Sequence, residues 1–241
     1  MTEVQERSRL QSYFDGTGFE RLSAIYGQEE CAGFRRAVRE GHRRVVQTVV
    51  SWLHPQIPFE TEDVLDAGCG TGALSIPLAQ AGVRVDGIDF SHRMIATAKE
   101  RGRQADVPGG FLSFEVRDLE SVDRPYNTIV CIDVLARYST EASVDILQHL
   151  SSLARRRLVL TFTPKTSMDY VWRAIGALYA RRQGAVPLYT HRRADILKAL
   201  ELFGWTIYRE AKFTAGFRSY FCRLIEARRT PVEKQEGAKE K

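Results

Sequence analysis

Hydrophobic positions along this chain fall into two textures. Through the first sixty residues they recur every three or four places, as on one face of a helix. Phe19, Leu22 and Tyr26 share such a face, opened by Thr17 and Glu20 at capping-box spacing and stopped by Gly27. From Glu29 to Leu53 the period continues through Phe34, Val38, Val45, Val49 and Trp52, until Pro55 and Pro58 end it. Beyond that point short apolar runs alternate with amphipathic ones. Strands are expected at 64–68, 83–89, 111–118, 126–133 and 156–163, with helices at 72–81, 91–104 and 140–153 between most of them. A helix at 192–203, stopped by Gly204, precedes strands at 205–213 and 217–229 that are close enough to form an antiparallel hairpin. The chain has no internal repeat. Such alternation specifies an α/β fold, a doubly wound, mostly parallel sheet with helices on both faces.

The same texture divides the chain. Residues 1–60 read as an N-terminal helical cap and 61–229 as the α/β domain, with a helical insert at about 165–190. On that insert Val171, Trp172, Ile175, Leu178 and Tyr179 share a face, while Arg173, Arg181 and Arg182 supply charge. Residues 230–241 form a polar tail of disordered composition.

Composition narrows the class. With 241 residues, 44% hydrophobic and 27% charged, the chain suits one globular unit. No apolar run reaches about eighteen residues, so no transmembrane helix is expected. The first residues lack the apolar core of a secretory signal, which points to the cytoplasm. Cys31, Cys69, Cys131 and Cys222 are too scattered for a zinc site or a disulfide framework, and no resident metal is expected. The net charge of +5 is unevenly spread: residues 61–150 carry −6 and residues 151–230 carry +11. A basic third of this kind fits an anionic substrate, an anionic membrane surface or nucleic acid, or a merely solvated face.

The chemistry concentrates in VLDAGCGTGALSIPLA, from Val64 to Ala79. Gly68, Gly70 and Gly72 stand at alternate positions between a predicted strand and a helix. In a dinucleotide loop of the G-x-G-x-x-G type the third glycine comes one residue later, and a pyrophosphate sits on the helix N-terminus. Here Asp66 precedes the first glycine, and an acid repels pyrophosphate but attracts a cation. Asp89 closes the second predicted strand, where a carboxylate can accept from ribose hydroxyls. Asp118 closes the third, within reach of an adenine amino group, and Asp133 the fourth. Four acids at four successive strand ends specify a cationic nucleoside ligand such as S-adenosylmethionine.

On these residues, 62–164 resemble the class I S-adenosylmethionine-dependent methyltransferases. That resemblance implies a seven-stranded sheet whose last strand enters as a hairpin, with Phe90 and Leu119 beside the acids as further donor contacts. Asp133 is followed by Val-Leu-Ala rather than by the Pro-Pro-aromatic of nucleic-acid amino-methylases, so no nucleic-acid substrate is expected.

Longer phrases are more specific. YFDGTGFERLSAIYG (13–27), GHRRVV (41–46), CIDVL followed by Tyr138, FTPKT (162–166) and Tyr189-Thr-His191 resemble the magnesium-protoporphyrin IX O-methyltransferases of chlorophyll and bacteriochlorophyll synthesis. The resemblance runs from about residue 10 to 225. It implies methyl transfer to a ring propionate, with magnesium present only as part of the porphyrin. It also implies contact with the magnesium chelatase large subunit or a photosynthetic membrane. Tyr13, Phe14, Phe19, Tyr138 and Lys165 are the expected substrate contacts, beneath a roof shared with the insert. Tyr26 is expected over the reacting group, and His191 near the magnesium. The family's histidine before Tyr138 is replaced by Arg137. Arginine keeps its proton and can neither ligate magnesium nor act as a base, but it can bind a propionate. Either that histidine is dispensable, or His191 or Tyr26 replaces it, or the chain is a divergent member. Three rivals are weighed on sequence alone: a methyltransferase for another lipophilic acceptor such as a quinone precursor, a non-catalytic protein that binds donor or porphyrin, and a nucleic-acid methylase, which would bind DNA or RNA with steep salt sensitivity.

Overall fold

A computed structural model of the chain describes residues 10–20, 33–53, 63–165, 186, 188–216 and 220–229. Tyr26, most of the expected insert and the polar tail lie outside the described residues.

Seven strands form one sheet: β1 (Asp63–Ala67), β2 (Arg84–Asp89), β3 (Leu112–Val116), β4 (Tyr126–Cys131), β5 (Ala154–Phe162), β6 (Trp205–Ala215) and β7 (Tyr220–Arg229). Their order across the sheet is β3-β2-β1-β4-β5-β7-β6. The first five pair in parallel, and β7 enters antiparallel to β5 with β6 antiparallel to it. This is the seven-stranded sheet of class I methyltransferases, hairpin included. Apart from short helical stretches at 10–15 and 17–20, the described helices are α1 (Gly33–Leu53), α2 (Ser75–Gln80), α3 (His92–Gln104), α4 (Thr140–Leu153) and α5 (Arg193–Leu202).

Period-two burial explains why these runs are strands. Along β4 and β5, Ile129, Cys131, Leu158, Leu160 and Phe162 face α4 and α5 in one core. Val130 and Val159 face the opposite core, formed with α1 and α2. Both faces are covered, so the central strands are near-continuously apolar. On α1 the buried positions Val45, Val46, Val49 and Leu53 form a single stripe at helical spacing. That stripe packs on Val64, Val130 and Val159.

Element boundaries differ from expectation where loops do chemistry. The helix expected at 72–81 begins at Ser75, because the first turn is given to the glycine loop. The third strand ends at Val116 and the fourth at Cys131, so Asp118 and Asp133 stand two residues beyond their strands. The chain rises through β1, β2 and β3 on one side and then crosses to β4 on the other. The switch point thus lies between β1 and β4, and ligands of open α/β sheets bind in the crevice at that place.

Candidate active site

The glycine loop leaves β1 with three left-handed glycines, Gly68 at φ +81°, Gly70 at +53° and Gly72 at +76°. The amides of Gly68 and Cys69 both donate to the Ile88 carbonyl at 2.9 Å, hanging the loop on the end of β2. A β-carbon on Gly68 would collide with Cγ2 of Val134, and one on Gly72 would lie 2.8 Å from Cζ of Phe114. At Gly70 nothing lies within 4 Å. That glycine is needed for its backbone angle and for the open space it leaves. Arg101 of α3 steadies the loop from behind, donating to Oγ1 of Thr71 at 2.8 Å.

Asp89 ends β2 beside this loop. Its Oδ2 accepts from the Gly70 amide at 3.1 Å and its Oδ1 from the Ser91 amide at 2.9 Å. Burial nonetheless pushes its carboxyl up to about 6. Asp66 is buried and turned away from solvent, accepting from Oγ of Ser75 at 2.5 Å, and burial raises it to about 6 as well. Asp133 stands at φ +59°, the one non-glycine with a positive φ among the described residues. Its amide donates to Oγ1 of Thr161 at 2.7 Å, whose hydroxyl donates to Oδ1 at 3.3 Å. Oδ2 lies 3.0 Å from Nδ1 of His42 on α1.

These groups surround an open cleft of about 810 Å³. Gly68, Gly70, Asp89, Phe90, Leu119 and Asp133 line it, together with Phe14, Met94, Arg137 and Tyr138. Over it lies a small apolar cluster of Leu10, Phe14, Met94 and Val186, flanked by Tyr13, Phe19, Phe90 and Tyr138. Phe14 and Phe90 meet edge to face at 5.6 Å. The roof is fastened at Asp15, whose Oδ1 accepts from Oγ of buried Ser91 at 2.6 Å, while Arg93 stacks 4.1 Å over Phe19.

Arg137 ends a short turn, Leu135–Arg137, that presents it to the cleft. Its guanidinium lies 5.4 Å over the Phe14 ring and pairs with no acid among the described residues. His191 is elsewhere. It is fully buried, with Nε2 donating to the Leu135 carbonyl at 2.9 Å and Nδ1 3.3 Å from Oγ1 of Thr140. Burial lowers its pKa, so the ring is neutral and its place is beneath the Arg137 turn rather than in the cleft. Lys165 is exposed and its amide donates to the His191 carbonyl at 2.8 Å, while its side chain is not on the cleft wall. Asp66, Gly72 and Asp118 are not among the residues that line the cleft.

Sequence reasoning missed His42, Thr161, Ser91 and Asp15. His42 sits in the GHRRVV phrase, but nothing local couples it to a residue 91 positions away. Cys69 lines the cleft, and burial pushes the pKa of its thiol well above the usual value, so it is no nucleophile.

Similarity to known proteins agrees with this architecture. Residues 131–229 match the family described as magnesium-protoporphyrin IX methyltransferase C-terminus, and residues 64–157 match a general methyltransferase domain. A magnesium-protoporphyrin O-methyltransferase of Synechocystis is 37% identical over 94% of this chain and 98% of its own length. The chloroplastic magnesium protoporphyrin IX methyltransferase of Arabidopsis thaliana is 39% identical over 92% of this chain and 71% of its own. The crystal structure of magnesium protoporphyrin IX methyltransferase from Synechocystis with bound SAH superposes with a TM-score of 0.84 at 38% identity, covering 93% of this chain and all of that one. Sheet order, glycine loop and near-full-length similarity converge: the chain belongs to the magnesium-protoporphyrin O-methyltransferase family.

Proposed function

We propose that this protein transfers the methyl group of S-adenosylmethionine to a propionate of magnesium protoporphyrin IX, giving the monomethyl ester and S-adenosylhomocysteine, a step of chlorophyll or bacteriochlorophyll synthesis. The observation that carries this reading is one cleft lined both by acids with a glycine loop and by Arg137, whose guanidinium pairs with no acid among the described residues, beside a cluster of aromatic rings. The residues fit the donor. Gly70 leaves open space at a left-handed turn, and Asp89 and Asp133 both line the cleft, where they can accept from ribose hydroxyls and an ammonium.

The donor, once bound, supplies an electrophilic methyl on a positively charged sulfur. What remains for the chain is alignment. A propionate has a pKa of roughly 4 to 5 and is already ionised at neutral pH, so no base is required. Holding oxygen, methyl carbon and sulfur in line can contribute on the order of 7–11 kcal/mol. Opposite charges are neutralised in the transition state, and the roof of Phe14, Phe90 and Met94 favours this by excluding water. A guanidinium clasping the reacting carboxylate would stabilise the ground state and slow transfer. Arg137 therefore orients the second propionate, and Tyr138 borders the ring. From its place in the 13–27 phrase, Tyr26, outside the described residues, is assigned to a hydroxyl hydrogen bond with the reacting group.

The basic third of the chain meets an anionic surface that delivers the poorly soluble porphyrin, either the magnesium chelatase large subunit or the photosynthetic membrane. Among the described residues no helix is long and apolar enough to cross a membrane.

Competition between acceptors tests the reading. Purified protein with methyl-labelled donor, magnesium protoporphyrin and a polyprenyl quinol precursor should label only the porphyrin. Label on the quinol would favour a quinone-type methyltransferase, and a shifted porphyrin absorption band without any product would indicate a binding protein.

A further inference from the structure

The apolar stripe of α1 carries one polar interruption. His42, Val45, Val46, Val49 and Leu53 share a face, and the four apolar members are buried against the sheet. The helix is thus seated without any help from His42. One turn before Val45, the imidazole reaches past the strand ends to the cleft wall, where its Nδ1–H donates to Oδ2 of Asp133 at 3.0 Å. Its side chain is 13% exposed and that of Asp133 is 25% exposed, so the contact is largely shielded from solvent.

Asp133 is in an unusual state. A left-handed backbone costs an ordinary residue about 1–3 kcal/mol and persists only where its surroundings enforce it. Among the described residues, Thr161 takes the amide and holds Oδ1, and His42 holds Oδ2. The carboxylate is thereby fixed in both backbone and rotamer at the mouth of the glycine loop. The electrostatic influence of His42 also reaches Asp66 on β1, whose ionised form it favours, and Asp89 lines the same cleft. Arg137 lines that cleft as well.

We propose that His42 is a positioning residue for the methyl donor: by clamping Asp133 from α1 it completes, with Thr161, the seat for the donor's ammonium end. This rests on the reading of the cleft as the donor site. It ties cofactor affinity to α1, an element outside the sheet and outside the glycine loop. It also gives the polar position in the stripe a task that packing does not require.

Calorimetry on the folded wild type, H42A, H42N, D133N and the double variant H42A/D133N, with S-adenosylmethionine and S-adenosylhomocysteine, tests this. Asn places an N–H near the position of the histidine Nδ1. H42A should weaken both ligands by about tenfold, the loss of one charge-assisted hydrogen bond, and H42N should recover most of that. The donor KM should rise in H42A while the porphyrin KM and kcat at saturating donor stay unchanged. D133N added to H42A should cost much less than D133N alone. Wild-type affinity in folded H42A, even with a lowered Tm, would overturn the proposal and leave a purely structural histidine. Additive losses in the double variant would overturn it too. Failure of the wild type to bind either ligand would instead remove the donor site itself.

Discussion

The backbone amide of Gly70 donates to Oδ2 of Asp89 at 3.1 Å, so the glycine loop and the acid at the end of β2 act as one unit. The acid is buried enough that its carboxyl titrates near 6 instead of 3.8. In the ligand-free protein the folded state then holds the proton more tightly than the unfolded chain does. The stability this confers is full below the unfolded value and is lost as pH rises through about 6. Ligand binding runs the other way, because only the ionised form accepts strongly from ribose hydroxyls. Affinity for S-adenosylhomocysteine should therefore fall as pH drops through about 6, with protons released on binding in that window. Asp89→Asn should bind about tenfold or more weakly at neutral pH and show a flatter profile. Titration calorimetry in two buffers of different ionisation heat measures both.

The loop glycines separate folding from binding. A β-carbon at Gly68 meets Val134, whereas one at Gly70 meets nothing. Both substitutions impose a left-handed alanine costing about 1–2 kcal/mol. Gly68→Ala should therefore lower Tm further than Gly70→Ala. Folded Gly70→Ala should lose donor affinity, since its methyl group stands where the ligand approaches. Thermal melts beside ligand titrations read the two effects apart.

Arg137 lies over Phe14 with no acid on it among the described residues, and an incoming propionate is its natural partner. Arg137→Gln should raise the porphyrin KM by roughly ten- to a hundredfold, the worth of a charge-assisted contact. S-adenosylhomocysteine affinity should be unchanged. A parallel loss of affinity for that ligand would mean that the arginine belongs to the donor end.

His191 makes the opposite prediction. Burial holds its imidazole below the usual pKa, so the fold binds it neutral and loses stability as pH falls through about 6.5, where the unfolded chain takes up the proton. His191→Gln should cost about 1–3 kcal/mol near pH 7, yet lose less on acidification than the wild type. Its kcat per folded molecule should be nearly unchanged. Denaturant melts across pH, paired with active-site counts, decide the matter.

Much of the fold was legible because its causes are local. Two-sided burial writes β4 and β5 as apolar runs, and a glycine loop followed by strand-end acids marks the switch point. What was not legible depends on distance. Asp133 meets His42 across 91 positions, and Asp15 meets Ser91 across 76. Asp66 carries the spacing of a ligand contact, but the hydroxyl of Ser75 turns it inward. His191 follows a motif phrase, yet the carbonyl of Leu135 claims its ring. Sequence identifies which polar groups gather near the site, while competition among close neighbours decides which of them faces the ligand.

The most direct measurement is a single turnover with a deuterated-methyl donor and magnesium protoporphyrin, followed by mass spectrometry and mild saponification of the product. One labelled methyl per porphyrin should form in step with S-adenosylhomocysteine, and alkali should release all of it as labelled methanol. A label that survives alkali, or a donor that is never consumed by folded protein, would contradict ester formation in this cleft.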